Sequence, residues 1–317
     1  PLSYDYRFNE IPITDFSNVY VLFSVLLHSL LVIYMIFLLK KRHVLSYFIF
    51  YYLISIFISS NILVDIGALM GERFLFQPSV GFSMAMAYIL LLPYKLNINK
   101  NILRFLLLSF LITIVFVGGF YIVERNKAWS SEITLYLEDA KVVKNSAPAQ
   151  NSAGSSLINL GDYIGNYADS LLKNKWNADI YVKEWNYYLK LATKYCSKIK
   201  EDSINKILFD IKMNDYNGVN NKITYVTNSL YWESIEYTKK AIAIHPLYHD
   251  AFVNLIIGYI RTGTLDTAEV VLNKLDNLNK RIVGLKVERI EELRDYLASQ
   301  YHLKAQRLTN NGKLAEA

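Results

Sequence analysis

The chain has 317 residues, 53% of them hydrophobic and 20% charged, with a formal net charge of +6. Its basic residues are scattered through helical-looking sequence rather than gathered on one face, which argues against a nucleic-acid partner. Its single cysteine, Cys196, excludes an internal disulfide and a cysteine-built zinc cage.

The length allows two domains, and the composition shifts partway along. Leu, Ile, Phe, Val and Tyr dominate up to about residue 123, whereas Lys, Asn, Glu and Asp recur beyond it. The boundary is placed at Glu124 and Arg125, giving a membrane domain over 1–124 and an extracytoplasmic helical domain over 125–317. The expected fold class is all-α, with about four transmembrane helices followed by an α-solenoid.

In chain order, Val19 to Leu39 is a run without formal charge, long enough to cross a hydrocarbon core of roughly 30 Å as a helix. The runs Val44 to Val64, Phe74 to Leu92 and Phe105 to Val123 read the same way, since helices satisfy their own backbone in lipid. Lys40, Lys41 and Arg42 lie in the first connection, and Lys95, Lys100 and Arg104 in the third. Both connections are therefore expected on the cytoplasmic side. Alternation puts residues 1–18, the loop Asp65 to Arg73 and everything after Arg125 on the opposite face. His28 falls inside the first span with no charged neighbour there and is given no role.

Beyond the membrane half, HDAFVNLIIGYIRTGTLDTAEVVLNKL places Phe252, Leu255, Ile256 and Tyr259 ahead of Gly263, Ala268 and Leu272. That spacing matches the tetratricopeptide pattern. Ser234, Ala241 and Pro246 supply the second helix of a preceding repeat, and Ala147 to Tyr163 looks like another first helix. Gly312 and Ala317 begin a further repeat, so the chain is expected to stop inside one, as its start at Pro1 also suggests a fragment. Residues 164–228 fit the period poorly and predict irregular helices that widen the array. Stacked helix pairs of this kind would enclose a concave surface for a protein or peptide acceptor. The aromatic stretch KEWNYYLKLATKYC is either core packing or a platform for a sugar or peptide.

The segment GERFLFQPSVGF, between the second and third runs, sets Glu72 beside Arg73 at a membrane boundary. An arginine there can grip a phosphate through two hydrogen bonds at once, or it can simply snorkel to the interface. The surrounding run SNILVDIGALMGERFLFQPSVGF resembles the extracytoplasmic loop of the transmembrane-and-tetratricopeptide O-mannosyltransferases and their bacterial relatives. Asn61, Gly67, Glu72, Arg73, Phe74, Leu75, Pro78, Ser79, Gly81 and Phe82 fill the family pattern, while Gly71, Phe76 and Gln77 depart from it. PLSYDYRFNEIP at the start, and Arg125, Trp129, Asn145 and Ser146 later, extend the resemblance.

The resemblance implies a C-type membrane glycosyltransferase, in a bacterial inner membrane, that takes a sugar such as mannose from a polyprenyl-phosphate donor and places it on a protein. It further implies that Arg73 binds the lipid phosphate, Glu72 orients it, and Asp5 with Tyr4 and Tyr6 lines the cleft; Asp5 equally reads as a turn former. In such enzymes an acid takes the acceptor's proton while cations stabilise the departing phosphate. The family's catalytic acid lies in a loop N-terminal to these residues, so no catalytic residue is assigned. No metal ligand is assigned either, and use of a divalent metal stays open. The alternatives are a non-catalytic membrane scaffold with external repeats and a lipid-linked glycan ligase or polymerase.

Overall fold

The computed structural model describes residues 14–60, 72–95, 101–174, 178–212, 216–281 and 287–310. Among these, the regular elements are twelve α-helices and two short 3-10 turns, with no strand, as the all-α expectation requires. The chain divides into two compact units, Pro1–Ser130 and Ser131–Ala317.

In the first unit, α1 (Val19–Lys40) starts where the side chain of Asn18 accepts a hydrogen bond from the Tyr20 N–H. It ends in a tight turn that holds Arg42 at φ 51°, a left-handed conformation costing a non-glycine residue about 1–2 kcal/mol. Helix α2 (Leu45–Ile58) follows and packs against α1. It stops where Ser59 and Ser60 direct their hydroxyls back to the carbonyls of Ser55, Ile56 and Phe57. Helix α3 (Phe76–Lys95) lies so close to α2 that a Cβ at Gly81 would sit 2.8 Å from the Phe48 carbonyl oxygen. Helix α4 (Asn101–Asn126) completes the unit.

Leu38, Leu45 and Ile49 form a small core, flanked by Met35, Phe48 and Tyr88. Elsewhere the apolar side chains point outward: Phe23 on α1 is 64% exposed and Phe116 on α4 is 77% exposed. So many exposed large apolar side chains mark a surface suited to lipid or to a partner. Helix α1 and the segment Phe105–Ser130 are long and apolar enough to cross a membrane; Leu45–Ile58 and Phe76–Leu92 are shorter apolar helices. The run Val44 to Val64 is thus helical only over Leu45–Ile58 among its described residues, about 21 Å at ~1.5 Å per residue. The run Phe74 to Leu92 starts its α-helix two residues late, because Glu72–Leu75 is a 3-10 turn.

The second unit begins with α5 (Glu132–Val142), capped reciprocally by Ser131 and Thr134. Then come α6 (Ala147–Asn174), α7 (Ala178–Tyr195), α8 (Glu201–Lys212) and α9 (Tyr216–Ile244). Helix α6 packs far more extensively on α9 than on its chain neighbour α7, so α7 and α8 are an insertion between two paired helices. Glycines make that pairing close: a Cβ at Gly154 would lie 2.7 Å from Thr238 Cγ2, and one at Gly161 2.5 Å from the Tyr231 ring. Trp185 of α7 is fully buried and its indole N–H donates to the Ile164 carbonyl at 3.2 Å, which anchors the insertion to α6. Truncating such a side chain costs about 3–5 kcal/mol.

Helices α10 (His249–Arg261), α11 (Leu265–Arg281) and α12 (Val287–Asn310) continue the stack, each packing on the one before. Phe252, Leu255, Ile256, Tyr259, Ala268 and Leu272 are all buried in one cluster, as their sequence spacing requires. Gly263 closes α10 at φ 76°, where the Thr264 N–H reaches back to the Tyr259 carbonyl. Ile235 of α9 belongs to this cluster and Leu230 to the cluster built by α5–α9, so α9 joins the two.

Candidate functional site

Glu72 and Arg73 occupy the 3-10 turn Glu72–Leu75, immediately ahead of α3. Their backbones are therefore adjacent at the head of an apolar helix. Pro78 is the third residue of α3, within the first turn, whose N–H groups have no intrahelical acceptor. The side chains of Glu72 and Arg73, like the whole of Tyr4, Asp5 and Tyr6, lie outside the described residues.

His28 is held by its own helix: Nδ1 is 2.8 Å from the Ser24 carbonyl, and the ring stacks on Tyr52, whose hydroxyl is 3.5 Å from Nε2. It lines an apolar cavity of about 680 Å³ between α1 and α2, with Ser24, Ser29 and Ser60 as its few polar neighbours. Among the described residues no group of three or more His, Cys, Asp and Glu side chains could hold a metal ion.

The second unit contains a groove of about 710 Å³ with a very different lining. Its floor is one stripe of α6, in which Asn151, Ser155, Asn159 and Tyr163 recur every four residues, with Ser152 and Ser156 beside them. The apolar residues on the other side of α6, Leu157, Leu160 and Ile164, are fully buried. Packing of that face is what turns the polar stripe toward the groove. The start of α5 contributes Ser131, Glu132 and Tyr136; α10 contributes Asp250 and Asn254, with Tyr248 just before it. Asn254 Nδ2 donates to Asn151 Oδ1 at 2.9 Å, linking α10 to α6.

The insertion supplies the wall. Tyr188 stacks on Tyr163 with ring centroids 5.2 Å apart and planes 13° apart, and Tyr187 meets Tyr188 edge-on at 5.5 Å. The stretch KEWNYYLKLATKYC thus divides between the two uses its composition left open: Trp185 and Leu189 are core, while Tyr187 and Tyr188 line the groove. The four-residue recurrence of Asn, Ser and Asn on α6 was the signal in the sequence for the floor. Juxtaposition with α7 was not readable, because it depends on α6 pairing with α9.

Two charged clusters brace this architecture. Glu138 of α5 accepts from Lys194 at 2.8 Å and from the Tyr195 hydroxyl at 2.9 Å. Burial alone would raise the Glu138 carboxyl, but the hydrogen bonds from Lys194 and Tyr195 and the charge of Lys141 outweigh it and hold it below its ordinary value. Asp162 of α6 accepts from Arg261 of α10 and from Tyr231 of α9, each at 2.8 Å, and Arg261 also donates to Tyr296 of α12. One carboxylate thereby joins four helices. Burial and the Asp162 charge push the Tyr231 phenol well above its ordinary range.

Two curated proteins are similar to part of the chain. The protein O-mannosyl-transferase TMTC3 of mouse (Mus musculus) is 32% identical over 101 residues, covering 32% of this chain and 10% of that protein. The human (Homo sapiens) protein of the same name is 30% identical over 101 residues, covering 32% of this chain and 11% of its own. The match thus spans about a tenth of the length of these relatives, and it supports a relationship to them over a third of this chain. No family model matches, and no solved structure matches significantly.

Proposed function

We propose that the chain is part of an integral membrane glycosyltransferase of the C type. It moves a sugar, mannose or a similar hexose, from a polyprenyl-phosphate carrier to a protein acceptor on the extracytoplasmic face. The observation that carries this reading is the similarity to O-mannosyl-transferases over a third of the chain. It is supported by two helices long and apolar enough to span a membrane and by the placement of Glu72 and Arg73 at the head of α3. In this reading α2 and α3 span the membrane with α1 and α4, and the second unit is a tetratricopeptide-type solenoid outside a bacterial inner membrane.

The chemistry follows from the residues. As the bond from the sugar to the lipid phosphate breaks, negative charge grows on the phosphate oxygens. Arg73 answers it with two directed N–H donors, Glu72 holds the guanidinium in place, and Asp5 with Tyr4 and Tyr6 lines the cleft. Replacing Arg73 with Lys in the intact protein keeps the charge and removes the fork. Sugar transfer is expected to fall about tenfold or more, the factor that ~1.4 kcal/mol of lost transition-state stabilisation gives. Unchanged transfer would discard the phosphate clamp. A second reading, a non-catalytic scaffold, is favoured by the polar groove of the second unit, which suits partner capture as well as acceptor presentation.

A further inference from the structure

We infer that the groove of the second unit is a saccharide site, which receives neutral sugar residues already present on the acceptor. The inference rests on the transferase reading for its biological sense but on the groove alone for its chemistry.

The groups that face the space are mainly side-chain amides and hydroxyls, such as Asn151, Asn159, Asn254, Ser152 and Ser155. Each can both donate and accept, which matches the vicinal hydroxyls of a sugar, themselves donors and acceptors. Asn151 and Ser156 are 6% and 4% exposed, so the floor carries polar groups that are costly to bury for packing alone. The bond from Asn254 to Asn151 fixes the orientation of both amides and uses only part of their capacity.

Exposed aromatic rings complete the match. Tyr163 is 47% exposed and Tyr187 40% exposed, although both stand beside the stacked Tyr188. A pyranose ring has an apolar C–H face that packs on an aromatic face while its hydroxyls reach amides at the edge. Charge selects in the same direction: no lysine lines the groove among the described residues, and Arg289 is engaged by Glu292 at 2.9 Å. Glu132 and Asp250 remain, which disfavours a phosphorylated or acidic ligand. The volume of about 710 Å³ falls within the ~300–1,000 Å³ of small-ligand sites.

The test is a calorimetric titration of the intact protein in detergent with mannotriose, cellotriose and chitotriose, alongside an uncharged Ser/Thr/Pro-rich peptide. Saturable binding of at least one trisaccharide is expected. Tyr163→Ala and Asn159→Ala should each weaken it about fivefold or more, and Tyr163→Phe, which keeps the ring, should retain it. Asn159 is exposed on α6, so its variant decides the matter if the tyrosine variant fails to fold. No saccharide binding by folded protein, binding indifferent to both alanine variants, or binding of the peptide alone would each overturn the inference. Because the probes carry no lipid phosphate, failure of the Arg73 assignment leaves this result standing, and failure here leaves Arg73 untouched.

Discussion

Tyr195 of the second unit shows how much a single buried group can report. Burial pushes its phenol up to about 12, with the Glu138 carboxylate acting in the same direction and Lys194 against it. The folded state therefore favours the neutral phenol. Its contribution is complete below the ordinary phenol value near 10 and is lost as pH rises through about 12. Thermal melts of the intact protein are expected to show stability falling across that alkaline window, and Tyr195→Phe should flatten part of the fall. Tyr231 and Tyr237, also raised by burial, contribute to the same fall. A melting temperature indifferent to pH across this window in the unmodified protein would contradict the assigned environment.

At the scale of elements, the decisive contact is α6 against α9. Gly161 has no room for a side chain, since its Cβ would stand 2.5 Å from the Tyr231 ring, and that ring is tied to Asp162. Gly161→Ala is expected to destabilise the second unit by about 1–3 kcal/mol through overpacking, despite alanine's better helix propensity. A chemical-denaturation midpoint unchanged or raised by this substitution would show that the two helices can separate freely.

The same contact explains what the sequence could and could not reveal. Phe252, Leu255, Ile256 and Tyr259 repeat at helical spacing, and Gly263 needs a positive φ, so α10, its turn and α11 were legible. The pairing of α6 with α9 was not, because the two helices of that pair are separated by α7 and α8, and only small residues at Gly154 and Gly161 mark it. The groove inherits that limit: its floor is written in the recurrence on α6, whereas its tyrosine wall exists only once the insertion folds back. For the membrane unit, apolar length announced α1 and α4, but nothing in composition foretold the serine-directed end of α2.

At the scale of the whole molecule, an apolar unit whose side chains face outward is joined to a helical stack with a polar groove, and these surfaces need different surroundings. Under the proposed transferase function, the apolar unit would meet the carrier lipid and the polar groove would handle the acceptor. The most direct measurement is transfer of label from a radiolabelled polyprenyl-phosphate hexose in membranes containing the intact protein, with protein and glycan fractions counted separately. Label is expected in the protein fraction; label confined to glycans, or none above membranes lacking the protein, would contradict the proposed transfer.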